Sequence, residues 1–155
     1  MKKQLLLILF LSSLFLNANS RNIESKRDSI VIYAHTLLKT PYLWGGTSTK
    51  GFDCSGFLYY VYKKYKIKVS RTSSGYINKG NNIELKKVKP ADVLLFTGTD
   101  SSNRKIGHIG MVVSNTDGVI DFIHASSSKK HFGVTITRYN NSGYTKRFIK
   151  AISII

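Results

Sequence analysis

Cys54 is the single cysteine in a chain of 155 residues, and its neighbours are of the kind that can turn a thiol into a nucleophile. It stands in Phe52-Asp53-Cys54-Ser55-Gly56-Phe57-Leu58, just after the glycine-rich approach Trp44-Gly45-Gly46 and Lys50-Gly51. Phe57, Leu58, Val61, Tyr62 and Tyr65 recur at intervals of three and four, so a helix is expected from Cys54 to Tyr65 or Lys66. A cysteine in a helix's first turn faces unpaired backbone N–H groups. These favour the thiolate and are expected to lower its pKa from the free value of about 8.5. The competing reading is a small buried hydrophobe.

A thiol needs a base, and histidine can take and return a proton near neutrality. His108 lies in Gly107-His108-Ile109-Gly110, where glycines leave room beside the ring. A third group should hold the imidazole by its far nitrogen. His124 is the leading candidate, since the turn Asn115-Thr116-Asp117-Gly118 brings residues near 108 and 124 opposite one another. Asp121 competes with it, although the two point to opposite faces of a regular strand. His131, in a polar basic loop, and His35, beside a buried stripe, are expected at the surface. Together Cys54, His108 and a third residue would perform acyl transfer. Backbone N–H groups at the start of the Cys54 helix would hold the oxyanion. His108 and His124 lack the spacing of a helical zinc pair, and no phosphate-loop or dinucleotide fingerprint is present. Neither metal nor cofactor is expected.

The elements that must position these groups are legible in outline. Residues 22–38 form a first helix with Ile30, Ala34, Leu37 and Leu38 on one face, ended by Lys39-Thr40-Pro41. Tyr42 and Trp44 in the following loop either pack the core or line a cleft beside Cys54. A short helix is expected near Ser73 to Lys79, broken by Gly80-Asn81-Asn82. Ile83 to Val88 reads as weakly extended, and Lys89-Pro90-Ala91-Asp92 as a turn. Strands follow at Val93–Phe96, Ile106–Val113, Val119–His124, Val134–Tyr139 and Phe148–Ile155. Helices first and about five mostly antiparallel strands afterwards define an α+β fold in one domain.

The first residues read as an export signal. Lys2 and Lys3 precede an apolar run from Leu5 to Leu16, and Ala18-Asn19-Ser20 offers small residues for cleavage after Ser20. Residues 1–20 would be the signal and 21–155 the mature domain, placed in the periplasm or outside the cell. An uncleaved segment would anchor the same domain to the membrane. The net charge of +16, lowered by two if Lys2 and Lys3 are removed, draws the chain to polyanions. An anionic wall polymer or membrane face suits an exported protein. The basic residues, including the pair Lys146-Arg147, are scattered as on a solvated surface, and no nucleic-acid-binding signature organises them.

Six blocks occur in order: Tyr42-Leu43-Trp44-Gly45-Gly46, Phe52-Asp53-Cys54-Ser55-Gly56-Phe57, Arg71-Thr72-Ser73, Lys89-Pro90-Ala91-Asp92-Val93-Leu94-Leu95-Phe96, Gly107-His108-Ile109-Gly110-Met111-Val112 and Phe122-Ile123-His124-Ala125-Ser126-Ser127. Together they resemble the NlpC-type family of papain-like peptidoglycan hydrolases, over roughly Ile30 to Tyr139. The resemblance implies a papain-like fold with Cys54 as nucleophile, His108 as base and His124 as the residue that orients it, which sets Asp121 aside. It further implies Tyr42 at the cleft as a helper at the oxyanion, and Asp53, Ser55 and Arg71 near the substrate, with Trp44 beside them. Ser74-Gly75-Tyr76 departs from the family, many of whose members carry a glutamine near that point. The implied activity is an exported cysteine endopeptidase cutting stem peptides or cross-links next to D-glutamate or diaminopimelate. Its partners would be peptidoglycan or muropeptides, with no nucleic acid, and a monomer is expected. The alternatives are an amidase or transpeptidase with the same triad, a non-catalytic basic wall-binding module, and a basic protein whose binding is lost with salt and indifferent to Cys54→Ala.

Overall fold

The computed structural model describes residues 2–155, with side chains described from Ala18 onward except that of Lys130. The expected leader, residues 1–20, falls for the most part on side chains outside that description. Among the described residues no helix is long and apolar enough to cross a membrane.

Helix α1 spans Lys2–His35, so it continues N-terminally past the expected start near residue 22. Its C-terminal part buries Arg27, Ile30 and Ala34, one face of a 3.6-residue period. Lys39 takes a left-handed φ of 68° just beyond the helix, and the chain turns there toward Pro41. A two-stranded ribbon, β1 (Thr47–Ser48) and β2 (Gly51–Phe52), leads to helix α2, Cys54–Lys64. This helix buries Phe57, Leu58, Val61 and Tyr62. Each large apolar side chain contributes about 1.5–3 kcal/mol to holding the helix on the sheet. The short helical turn at Ser74–Asn78 is of the 3-10 kind.

The main sheet has six strands rather than about five: β3 (Asn81–Ile83), β4 (Val93–Thr97), β5 (Ile106–Thr116), β6 (Val119–Ser126), β7 (Gly133–Arg138) and β8 (Phe148–Ser153). All neighbours are antiparallel, in the order β3-β8-β4-β5-β6-β7. The sixth strand, β3, includes Asn81 and Asn82, residues that read as a break. It is a short polar edge strand paired only with β8, and β-propensity is weakest as a guide at such edges. Between β7 and β8 lies an unexpected one-turn helix, α3 (Tyr144–Arg147).

Alternate residues of the central strands supply two cores. Val93, Leu95, Ile109, Met111, Ile123 and Ala125 pack under the helices, together with partly buried Cys54. Leu94, Phe96, Val112 and Phe122 form a second cluster closed by Tyr139, Tyr144 and Phe148. A β-bulge changes register between Phe96/Thr97 and β5: Phe96 pairs with His108 and Thr97 with Ile106, which leaves Gly107 as the extra residue.

Candidate active site

The start of α2 is fixed by Asp53. Its extended backbone and its Oδ1, which accepts the Gly56 N–H at 2.6 Å, make it the N-cap. Its Oδ2 accepts the Gly45 N–H at 3.0 Å, which ties the incoming loop to the helix. Gly56 is required there, because a Cβ would lie 1.9 Å from the Gly46 carbonyl oxygen. Arg71 donates to both Asp53 oxygens, at 3.0 and 2.8 Å, and to Ser55 Oγ at 3.0 Å. Asp53, Ser55 and Arg71 thus form one network, and the hydrogen bonds from Arg71 and the Gly56 N–H hold the Asp53 carboxyl below its usual pKa against the opposing effect of burial. All three also line the cleft beside Cys54, so the network has one face toward any ligand.

That cleft, about 580 Å³, brings together Tyr42, Trp44, Cys54, His108 and the Asp53 network. Tyr42 is half-buried, and burial followed by the fields of Cys54 and Asp53 raises its pKa, so it keeps its phenol proton. Trp44 is 86% exposed at the mouth. Both aromatics line the cleft, and Tyr42 also packs against the core beneath it.

His108 and His124 meet as a hydrogen-bonded pair, Nε2 to Nδ1 at 2.9 Å. The far nitrogen of His124 reaches Thr137 Oγ1 at 3.0 Å. One arrangement of protons leaves His108 Nδ1 available as a base: Nε2–H of His108 donates to His124, and Nε2–H of His124 donates to Thr137. Thr137 lies two residues along β7 from Thr135, the residue directly opposite His124, and so on the same face. Diagonal neighbours on one face are within reach of a long side chain. The rings of both histidines lie against Tyr144, and Gly110 makes space, since a Cβ there would meet the Phe122 ring at 2.4 Å and His124 Cβ at 3.3 Å. Asp121 is engaged elsewhere, with Arg138 at 3.1 Å. His35 and His131 are exposed, as expected.

The electrostatics depart from the sequence-based expectation for Cys54. Burial first, and the Asp53 charge second, push its pKa up, against the backbone N–H groups of Ile109, Ser55 and Cys54 itself. The helix terminus does favour the thiolate, but desolvation outweighs it. Burial also drives His108 well below the ordinary imidazole value, helped by the fields of His124 and Arg147, and His124 to about 3. In the cleft, burial thus biases both the Cys54 thiol and the His108 imidazole toward their neutral forms. Such a pair can move a proton from sulfur to nitrogen as the sulfur bonds to an electrophile.

Two residues here escaped the sequence reading. Thr137 is an ordinary strand threonine until the register is known. Arg147, expected with Lys146 on a solvated surface, turns inward and lines the cleft while Lys146 stays exposed. Its i, i+3 spacing from Tyr144 was the available signal.

A cysteine at a helix N-terminus, facing a strand histidine across a cleft, defines a papain-like arrangement. The chain belongs to the NlpC/P60 family, whose model matches residues 39–153. It is 40% identical over 123 residues to the Probable peptidoglycan endopeptidase LytE of Bacillus subtilis, covering 79% of this chain and 33% of that protein. It is 30% identical over 124 residues to a Gamma-D-glutamyl-L-lysine dipeptidyl-peptidase of Bacillus cereus, covering 80% of this chain and 35% of the other. Among solved structures, an NlpC/P60 family protein from Bacillus cereus superposes with a TM-score of 0.73 at 26% identity, over 83% of this chain and 40% of its own. The chain spans about a third of the length of these two curated relatives.

Proposed function

We propose that the chain is a cysteine peptidase that hydrolyses amide bonds in peptidoglycan stem peptides through a thioester on Cys54. The observation that carries this reading is that Cys54 and His108 line one cleft, with His108 hydrogen-bonded to His124 and His124 to Thr137 behind it. As Cys54 Sγ attacks the scissile carbonyl, its proton passes to His108 Nδ1. The imidazolium is steadied by its Nε2–H bond to His124. Backbone N–H groups at the start of α2 and the Tyr42 hydroxyl receive the developing oxyanion. The bond to nitrogen breaks, and His108 gives its proton to the departing amine. Water then attacks the thioester with His108 as base, releasing the acid and restoring the thiol.

The substrate class rests on kinship and charge. A relative named for the γ-D-glutamyl-L-lysine bond favours cleavage next to D-glutamate. Stem peptides carry carboxylates, which suits a chain of net charge +16. Export through the segment ending near Ser20 belongs to the same reading, because the polymer lies outside the cytoplasmic membrane. The test is mass spectrometry of muropeptide digests made with the full chain and with Cys54→Ala under reducing conditions. New fragments that need the thiol are expected, and their masses name the bond. Identical digests from both proteins would overturn the reading and favour a module that only binds.

A further inference from the structure

We infer that Arg147 forms a carboxylate subsite for the substrate residue that carries the departing amine. This rests on the hydrolase reading above and extends it to specificity.

The cleft is lined by two guanidinium groups, on different walls. Arg71 stands by α2 and is already paired with Asp53 at 2.8 Å. Arg147 stands by the histidines. Its Nη2 donates to the Thr97 carbonyl at 3.0 Å, and its guanidinium lies 4.8 Å from the centre of the Tyr144 ring. Tyr144 in turn packs against both imidazoles, with ring centres 5.7 Å from His108 and 5.4 Å from His124. Among the described residues no carboxylate pairs with Arg147, and its buried Nε has no protein partner. A half-buried guanidinium whose Nε is buried without a partner has donor capacity that an anion in the cleft can take up. A guanidinium is also suited to a carboxylate, which it can grip through two parallel N–H bonds.

The side of the cleft follows from the chemistry. His108 delivers the proton to the leaving nitrogen, so the leaving residue must lie against the histidine wall. Thr97, which holds Arg147, pairs with Ile106, two residues before His108. An anion on the leaving residue would therefore meet Arg147, while the acyl portion faces Tyr42 and the Asp53 network. The field of Arg147 helps to hold both imidazoles neutral. A carboxylate bound to it offsets that field and makes His108 a better base once substrate is in place.

The experiment uses the full chain and two synthetic stem peptides. They differ only in whether the residue after the scissile bond bears a free carboxylate or its amide. The wild type is expected to prefer the free acid in kcat/KM by about tenfold or more, chiefly through KM, as for the loss of one charge-assisted hydrogen bond. Arg147→Gln should erase that preference, and Arg147→Lys should keep part of it. An equal fall of Arg147→Gln on both peptides would make the residue structural and overturn the inference. So would a wild type indifferent to amidation, or one sensitive only to a carboxylate on the acyl side. If Arg147→Gln does not fold, the wild-type comparison decides alone. If the wild type cleaves neither peptide, the hydrolase reading fails separately. Calorimetric binding of the two peptides to Cys54→Ala, with and without Arg147→Gln, then decides the subsite: an acid preference that needs Arg147 keeps it, and no preference overturns it.

Discussion

Arg27 and Arg147 are both drawn into the protein, and they end in opposite circumstances. Arg27 sits where α1 meets the turn before β4 and the end of β8. Its Nη1 donates to Asp92 at 2.8 Å and to the Pro90 carbonyl at 2.7 Å, and its Nη2 to Ser153 and the Ile155 carbonyl oxygen at 2.9 and 2.7 Å. The second oxygen of Asp92 accepts the Lys89 N–H at 2.8 Å. That clamp is closed. In the cleft, by contrast, among the described residues Arg147 donates to the Thr97 carbonyl but meets no carboxylate, His108 Nδ1 has no hydrogen-bond partner, and burial biases Cys54 toward the thiol. Satisfied buried charge belongs to architecture, and incompletely satisfied charge beside a cleft points to a ligand.

If that contrast is sound, damage to the two regions should separate chemistry from stability. Cys54→Ala should lower muropeptide cleavage by at least about a thousandfold and move the urea midpoint little, since only one sulfur atom leaves a half-buried site. Asp92→Ala should do the reverse. It strands the buried Arg27 guanidinium, at a cost of about 3–5 kcal/mol in urea unfolding, while protein that remains folded keeps its kcat. A large stability loss in Cys54→Ala, or little loss in Asp92→Ala, would break the distinction.

The architectural half was the more legible of the two in the sequence. Strands β4 to β8 announce themselves as apolar or β-branched runs cut by Asn-Thr-Asp-Gly and Asn-Asn-Ser-Gly turns, and their observed bounds fall close to the expected ones. The Asp-Cys-Ser-Gly block marks the start of α2, because a capping aspartate is a local requirement, whereas the need for glycine at position 56 comes from the Gly46 carbonyl of the preceding loop. What stayed hidden depends on register or on summed fields. The edge strand at Asn81–Ile83 is polar and becomes a strand only by pairing with β8. Thr137 becomes a partner of His124 only through the β6–β7 pairing. Arg147 and the upward shift of Cys54 are sums over distant groups and burial, which no linear spacing records.

A smaller effect sharpens the comparison through pH. His124 is held to about 3 and His108 well below the ordinary value by burial. In the unfolded chain both titrate near 6.5. Below that pH the unfolded state takes up protons that the folded state refuses, so stability falls as pH drops from about 6.5 toward 3, and neither group contributes a slope well above 6.5. Each histidine adds up to about 1.4 kcal/mol per pH unit inside that window. Urea midpoints at pH 7.5, 6 and 5 should show the decline, and His124→Asn should flatten it. An unchanged slope in His124→Asn would assign the acid loss to other groups.

The smallest expected effect concerns Thr137, where the closed and open regimes meet. In the proton arrangement that leaves His108 Nδ1 free, its hydroxyl accepts from His124 Nε2–H and so favours an unprotonated Nδ1 toward His108. Thr137→Val keeps the β-branched shape and removes the acceptor. His124 could then place its proton on Nδ1, where it would confront the Nε2–H of His108 and break the relay. Losing one neutral hydrogen bond of about 1 kcal/mol predicts a fall of about fivefold in kcat with KM little changed. Thr137→Ser restores the oxygen and should recover most of the rate, although it removes the methyl group. Equal rates for the Val and Ser variants would reduce Thr137 to packing. Recovery by Ser alone would show that an oxygen atom beyond both imidazoles governs how readily His108 accepts its proton.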